Sequence, residues 1–241
     1  AYLVQGLGHC GACHTPRGVA FQEKAMTGEG KNGAYFLAGE TVEGWRALSL
    51  RDLWTAQETA EMLKTGRNRH GTVSGNMVDV VQHSTQYMSD ADLLAIGTYL
   101  KSLPAGKDDL PMQVAQGPAP RIAIPARTLG STQANAADAA HYNVPADLYT
   151  SRGGLGYLQF CADCHRADGG GVKDVFPSLE GNRSLRADNA STLIHIMLTG
   201  WTTPVTQTHA RPMTMPAFAK LGDQEIADIL NFTRRNWGSK N

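Results

Sequence analysis

Cys10-Gly11-Ala12-Cys13-His14 and Cys161-Ala162-Asp163-Cys164-His165 decide the reading of this chain. Each is C-x-x-C followed directly by His, the pattern of covalent c-type haem attachment. The two motifs use all four cysteines of the 241-residue sequence. The spacing has a chemical reason. Two thiols one helical turn apart reach the two vinyl groups of one porphyrin and form thioethers. The adjacent imidazole then faces the iron. The sequence therefore predicts two covalently attached haem c groups, on Cys10, Cys13 and His14 and on Cys161, Cys164 and His165. Two other chemistries use C-x-x-C. A thioredoxin-like redox pair follows a strand in a βαβ pattern, and no Val/Ile-rich strand precedes either motif. A zinc site needs the two pairs brought together, and they lie far apart in sequence.

The rest of the chain repeats one plan around these motifs. Each copy reads as helix, haem motif, long loop, helix, methionine loop and final helix. In the first copy a Gly-rich loop, 26–50, follows the motif. A helix then starts at the capping box Thr55-x-x-Glu58 and ends at Thr65 before Gly66. The last helix starts at the N-cap Ser89 and ends at Leu103-Pro104. In the second copy a helix covers about Ala190–Leu198 and ends at Gly200. The last helix runs from Asp223 to Trp237-Gly238. Gly153 and Tyr157 precede Cys161 by eight and four residues, and Ile229 and Phe232 face them from the last helix. This is a small-residue crossing filled by aromatics. Gly6 is expected opposite Ile96 and Tyr99 in the first copy.

The fold expected is all-α, with two tandem class I cytochrome c domains, 1–104 and 148–241. They are joined by an extended Pro/Ala-rich linker, 105–147. Ile122, Ile124 and Leu129 suggest that the linker packs along the domains.

A haem carrier also needs a sixth iron ligand, and methionine with histidine raises the potential. In the second copy Met215, stiffened by Pro216, is favoured over Met213, while Met197 reads as core. In the first copy Met77, in a flexible loop, is favoured over Met88, which packs at the helix cap. His70 and His83 offer a bis-histidine alternative. Trp45, Arg46, Arg67, Arg69, Arg183 and Arg186 are candidates for haem propionates, since the Arg fork suits carboxylates.

Composition narrows the partners. Lys plus Arg equals Asp plus Glu, at 22 each, so charge indicates neither nucleic acid nor an anionic membrane. No apolar run approaches the ~18 residues of a membrane span. The N-terminus lacks the charged and apolar regions of a signal peptide and reads as a mature product.

Several stretches are more distinctive than a bare haem motif. They are Gly8-His9-Cys10-Gly11-Ala12-Cys13-His14-Thr15-Pro16-Arg17-Gly18, Thr65-Gly66-Arg67-Asn68, Gly75-Asn76-Met77, His83-Ser84-Thr85-Gln86-Tyr87, Ser89-Asp90-Ala91-Asp92-Leu93, Met215-Pro216-Ala217-Phe218 and Asn236-Trp237-Gly238. Together they resemble the last two haem domains of the cytochrome c subunits of membrane-bound alcohol and gluconate dehydrogenases. Those subunits carry three haems; two motifs are present here. The resemblance implies a periplasmic, non-catalytic carrier. Its electrons would come from a dehydrogenase and pass to a downstream cytochrome or oxidase of the respiratory chain. Membrane association would be indirect, through a partner or a segment absent from this sequence. The competing class is a dihaem peroxidase-like enzyme or a small-ligand sensor, either of which needs one open iron.

Overall fold

The computed structural model describes residues 1–105, 121–125 and 141–238. Helices dominate: α1 (Gly11–His14), α2 (Ala56–Thr65), α3 (Met77–His83), α4 (Asp90–Ser102), α5 (Arg152–Phe160), α6 (Ala162–His165), α7 (Arg183–Arg186), α8 (Ser191–Thr199) and α9 (Asp223–Trp237). Four short antiparallel ladders join them, a feature the all-α expectation left out. They pair β1 (Glu40–Val42) with β2 (Trp45–Ala47), β3 (Arg67–Asn68) with β4 (Gly71–Thr72), β5 (Arg121–Pro125) with β6 (His141–Pro145), and β7 (Trp201–Thr202) with β8 (Thr214–Met215).

The helix ends follow the local chemistry. Thr55 and Glu58 close a reciprocal capping box on α2, and Gly66 ends that helix in the left-handed conformation. Ser89 caps α4 and Ser151 caps α5 through their hydroxyls. Two expectations fail near the ligand loops. The segment before the first motif is a five-residue π-helical turn, Leu3–Leu7, in place of an α-helix. Met77 is the first residue of α3 and not part of a flexible loop. Val78 and Val81 of that short helix pack inward, and this burial overrides the Gly-rich approach.

Buried side chains collect in separate clusters. Val4, Phe36, Leu37, Ile96, Leu100 and Leu103 form one, with Cys10 and Met88 against it. Met62, Val73 and Val81 form a second, with Trp54 and Met77. The third joins Val144, Leu148, Tyr157, Cys161, Leu185, Met197, Ile226, Ile229, Leu230, Phe232 and Trp237, with Met215 and Phe218 at its edge. Val144 and Leu148 are fully buried there, so this third core reaches back into the stretch read as linker. Of that stretch, residues 121–125 and 141–145 pair as a ladder. Linker positions 106–120 and 126–140, including Pro111, Pro118, Pro120 and Leu129, lie outside the described residues, as do the side chains of Ile122 and Ile124.

The expected helix crossing is present in the second half. A Cβ on Gly153 would strike the Asp228 carbonyl and lie 2.7 Å from the Phe232 Cβ. Tyr157 packs in a tilted arrangement on both Phe232 and Trp237. The first half does it differently. A Cβ on Gly6 would meet only the Tyr2 ring. Val4 packs with Ile96 and Leu100 in its place, and the tight approach there is Gly97 of α4 on the Ala56 backbone of α2. Arg51, 3% exposed, ties the Gly-rich loop to the core by donating to the carbonyls of Gly33, Phe36 and Pro104.

Two outcomes follow for stability. Gly153→Val overpacks the α5–α9 crossing and should cost about 1–3 kcal/mol, read as a lowered melting midpoint of the haem-loaded protein. The second outcome concerns Glu58. Burial alone would raise its carboxyl. Hydrogen bonds from Thr55, Arg69 and His70 outweigh that and hold it at about 2, against an ordinary value of 4.5. A depressed pKa gives stability that is complete above about 4.5 and is lost as pH falls through that window. Glu58→Gln should therefore cost about 1 kcal/mol at neutral pH and flatten the acid limb of the stability profile, as measured by denaturant titration across pH.

Candidate haem-binding sites

The turn that carries each motif is helical. Cys10 precedes α1 and accepts at its carbonyl from the His14 N–H at 3.0 Å; Cys161 precedes α6 and accepts from His165 at 2.9 Å. One helical turn thus carries two thiols and an imidazole. Burial pushes the Cys10 thiol up, and pushes that of Cys161 up to about 12. A redox-active or metal-binding thiolate needs the opposite shift. No group of three or more His, Cys, Asp or Glu able to hold a metal ion occurs among the described residues, so the zinc arrangement is not formed there.

The imidazoles are set by a shared device. His14 Nδ1 lies 2.8 Å from the Leu48 carbonyl, and His165 Nδ1 lies 3.0 Å from the Pro177 carbonyl. A carbonyl only accepts, so each Nδ1 carries the proton and each Nε2 keeps its lone pair free. Burial lowers both imidazole pKa values, partly opposed by these same hydrogen bonds. Both rings are held neutral and oriented, the state an iron ligand requires. The two carbonyls come from loops of very different length, 34 and 12 residues after their histidines. The motif alone did not reveal them. A usable signal existed: both acceptors are followed by Ser-Leu, in Leu48-Ser49-Leu50 and Pro177-Ser178-Leu179. Leu50 and Leu179 each pack against their local core.

The methionines fall in different surroundings. Met77 packs in the cluster with Trp54, Met62, Val73 and Val81, while Met88 packs with the cluster that holds Cys10. Met215 stands opposite Trp201 in the β7–β8 register and packs on the core that holds Cys161. Met213 exchanges backbone and hydroxyl hydrogen bonds with Thr203 and is not among the side chains of that core. Met197 is buried in it, as expected. His70 is held by Glu58 and stacked on Trp54, and His83 is exposed beside Asp79.

Buried donors without partners test whether an acidic cofactor fits. Trp54 Nε1, Arg67 Nε and Nη2, Arg186 Nε and Trp201 Nε1 are buried with no hydrogen-bond acceptor. Each such group costs about 1–3 kcal/mol if left unmade, and burial lowers the pKa of both arginines. A carboxylate, which only accepts, is the complement, and haem carries two. Trp54 sits in the Met77 cluster and Trp201 faces Met215, so both sites meet this requirement. Among the arginines and tryptophan singled out from sequence, Arg67 and Arg186 keep free donors. Arg46 pairs with Asp188, Arg69 with Glu58, Arg183 donates to the Leu53 carbonyl, and Trp45 stacks on His195. Trp54 and Trp201 were not legible, because an indole N–H is marked as unpaired only once its surroundings are built.

Comparison with known proteins gives the same direction. The cytochrome c family matches residues 151–237. The cytochrome c subunit of the quinone alcohol dehydrogenase of Gluconacetobacter polyoxogenes is 41% identical over 248 residues, covering 99% of this chain and 48% of the relative. The gluconate 2-dehydrogenase cytochrome c subunit of Pantoea cypripedii is 36% identical, over 99% and 51% respectively. The fructose dehydrogenase cytochrome subunit of Gluconobacter japonicus is 34% identical, over 99% and 48%. The chain thus spans about half the length of these curated relatives. Residues 151–237 thus match the cytochrome c family, and the chain is similar along its length to the cytochrome c subunits of alcohol and gluconate dehydrogenases.

Proposed function

We propose that the chain is a periplasmic dihaem electron carrier built from two cytochrome c domains, 1–104 and 148–241. It takes electrons from a dehydrogenase and passes them towards the respiratory chain. The observation that carries this reading is the repeated device at the motifs. Both C-x-x-C-H turns place their imidazole under a backbone carbonyl that leaves Nε2 free. The relatives named as dehydrogenase cytochrome subunits support the donor assignment. No helix among the described residues is long and apolar enough to cross a membrane, which leaves membrane contact to a partner or another segment.

Haem c would supply a one-electron couple at its iron, on a porphyrin that cannot dissociate from its thioethers. Cys10 and Cys13, and Cys161 and Cys164, would tether the two porphyrins. His14 and His165 would each offer Nε2 to an iron, with basicity strengthened by the Leu48 and Pro177 carbonyls. Met77 and Met215 would supply the second protein ligands and exclude small ligands. Trp54, Arg67, Arg186 and Trp201 would donate hydrogen bonds to propionates, and the two arginines would offset their negative charge and so favour the reduced state.

A mass spectrum of the denatured chain should show the increment of two haem groups; the increment of one would remove the dihaem assignment. The oxidised protein should show the weak long-wavelength band of methionine–iron(III) bonding. Met77→Ala and Met215→Ala should each remove about half of that band, lower one potential and admit carbon monoxide to the reduced protein. Ready carbon monoxide binding by the unmodified protein would favour the open-iron enzyme or sensor.

A further inference from the structure

The two haem-motif halves meet at one ring-on-ring contact. Trp45 of β2 and His195 of α8 stack with centroids 4.2 Å apart and planes inclined by 18°. The contact is braced on both sides. The next residue, Arg46, donates its backbone N–H to Thr192 Oγ1 at 2.6 Å and pairs through Nε with Asp188 at 3.0 Å. Asn189 reaches Thr41 of β1.

Each ring is also tied to its own site. Trp45 lies three residues before Leu48, whose carbonyl orients His14. Its indole rests on Gly75, where a Cβ would come within 2.6 Å of Trp45 Cγ. Gly75 in turn lies two residues before Met77. Trp45 therefore lies against the turn that leads to Met77 and on the strand that leads to Leu48. His195 sits on α8 between Leu193 and Met197, and both of these pack in the core that holds Cys161 and Met215. No role in haem attachment accounts for this stack. It is one place where a support of the first site packs directly on a helix of the second.

We propose that Trp45 and His195 are a positioning pair that fixes the approach of the two haem sites and thereby sets the rate at which an electron crosses between them. The proposal rests on the dihaem reading above. The step is balanced within the chain. One electron leaves a ferrous iron, which becomes ferric, and the other iron passes from ferric to ferrous. No bond forms or breaks and no proton moves. The stack contributes rigidity and a gap-free contact between the halves. The rate of transfer falls steeply with separation, so a loosened interface slows it without altering either set of ligands.

The test uses the haem-loaded full chain and its Trp45→Ala, Trp45→Phe and His195→Ala variants, with haem content counted by mass. Inter-haem exchange is read from broadening of haem methyl NMR signals in partly reduced samples. The separation of the halves is read from small-angle scattering, which needs no turnover. Trp45→Ala and His195→Ala should slow exchange by about tenfold, the scale of a lost held geometry, and lengthen the scattering distance distribution. Trp45→Phe, which keeps a stacking ring, should restore both. The methionine–iron band should be unchanged in His195→Ala. Two haems with unchanged exchange in both alanine variants would overturn the pair's role alone. Slowed exchange that Trp45→Phe does not restore would also overturn it. A single haem would overturn the dihaem reading and this proposal together.

Discussion

The hydrogen bond from a histidine Nδ1–H to a backbone carbonyl is the constraint on which both sites depend. A C-x-x-C-H turn would bring an imidazole to the face of a porphyrin, but it does not choose which nitrogen would meet the iron. The Leu48 and Pro177 carbonyls make that choice. To do so, each half must bring a loop back over its own motif and hold it there. Arg51 anchors the first such loop by binding three carbonyls from inside the core. In the second half the backbone N–H of Leu179 donates to the Gly169 carbonyl, with Leu179 packed on the core. Much of the irregular structure between helices serves this one bond.

The two halves reach the same local result by different packing. The second uses an α5–α9 crossing in which Gly153 allows backbone contact and three aromatic rings fill the space. The first has only a π-helical turn before its motif, so its closest helix approach moves to Gly97 on α2. Its apolar side chains then divide into two clusters, one with Cys10 and one with Met77. A large apolar cofactor between them would complete a single core, which is consistent with haem being part of the folded structure rather than an addition to it.

Unsatisfied donors give an independent line of support. Among the described residues, four side chains hold buried N–H groups without acceptors, and an isolated protein gains nothing from that arrangement. Two of the four are the tryptophans Trp54 and Trp201, located beside Met77 and opposite Met215. The same accounting separates Arg67 and Arg186 from Arg46 and Arg69, whose charges are already met by Asp188 and Glu58. Chemically similar residues thus divide, by their partners alone, into those with a buried donor still to offer and those already paired.

The sequence by itself held the attachment motif, because C-x-x-C-H needs only one turn of helix and no distant partner. It also determined most helix ends. Thr55 with Glu58, Ser89 and the glycines 66 and 200 act within a few residues of themselves, and the observed boundaries agree closely. What lay beyond its reach depends on chain segments far apart in sequence. The short helix that starts at Met77 exists because its valines find a core. The carbonyls above His14 and His165 arrive over loops of 34 and 12 residues. The contact of Trp45 with His195 joins positions 150 residues apart, across two halves that local patterns read as separate. Only tertiary structure decides such pairings, since nothing in the energetics of either segment alone favours one partner over another.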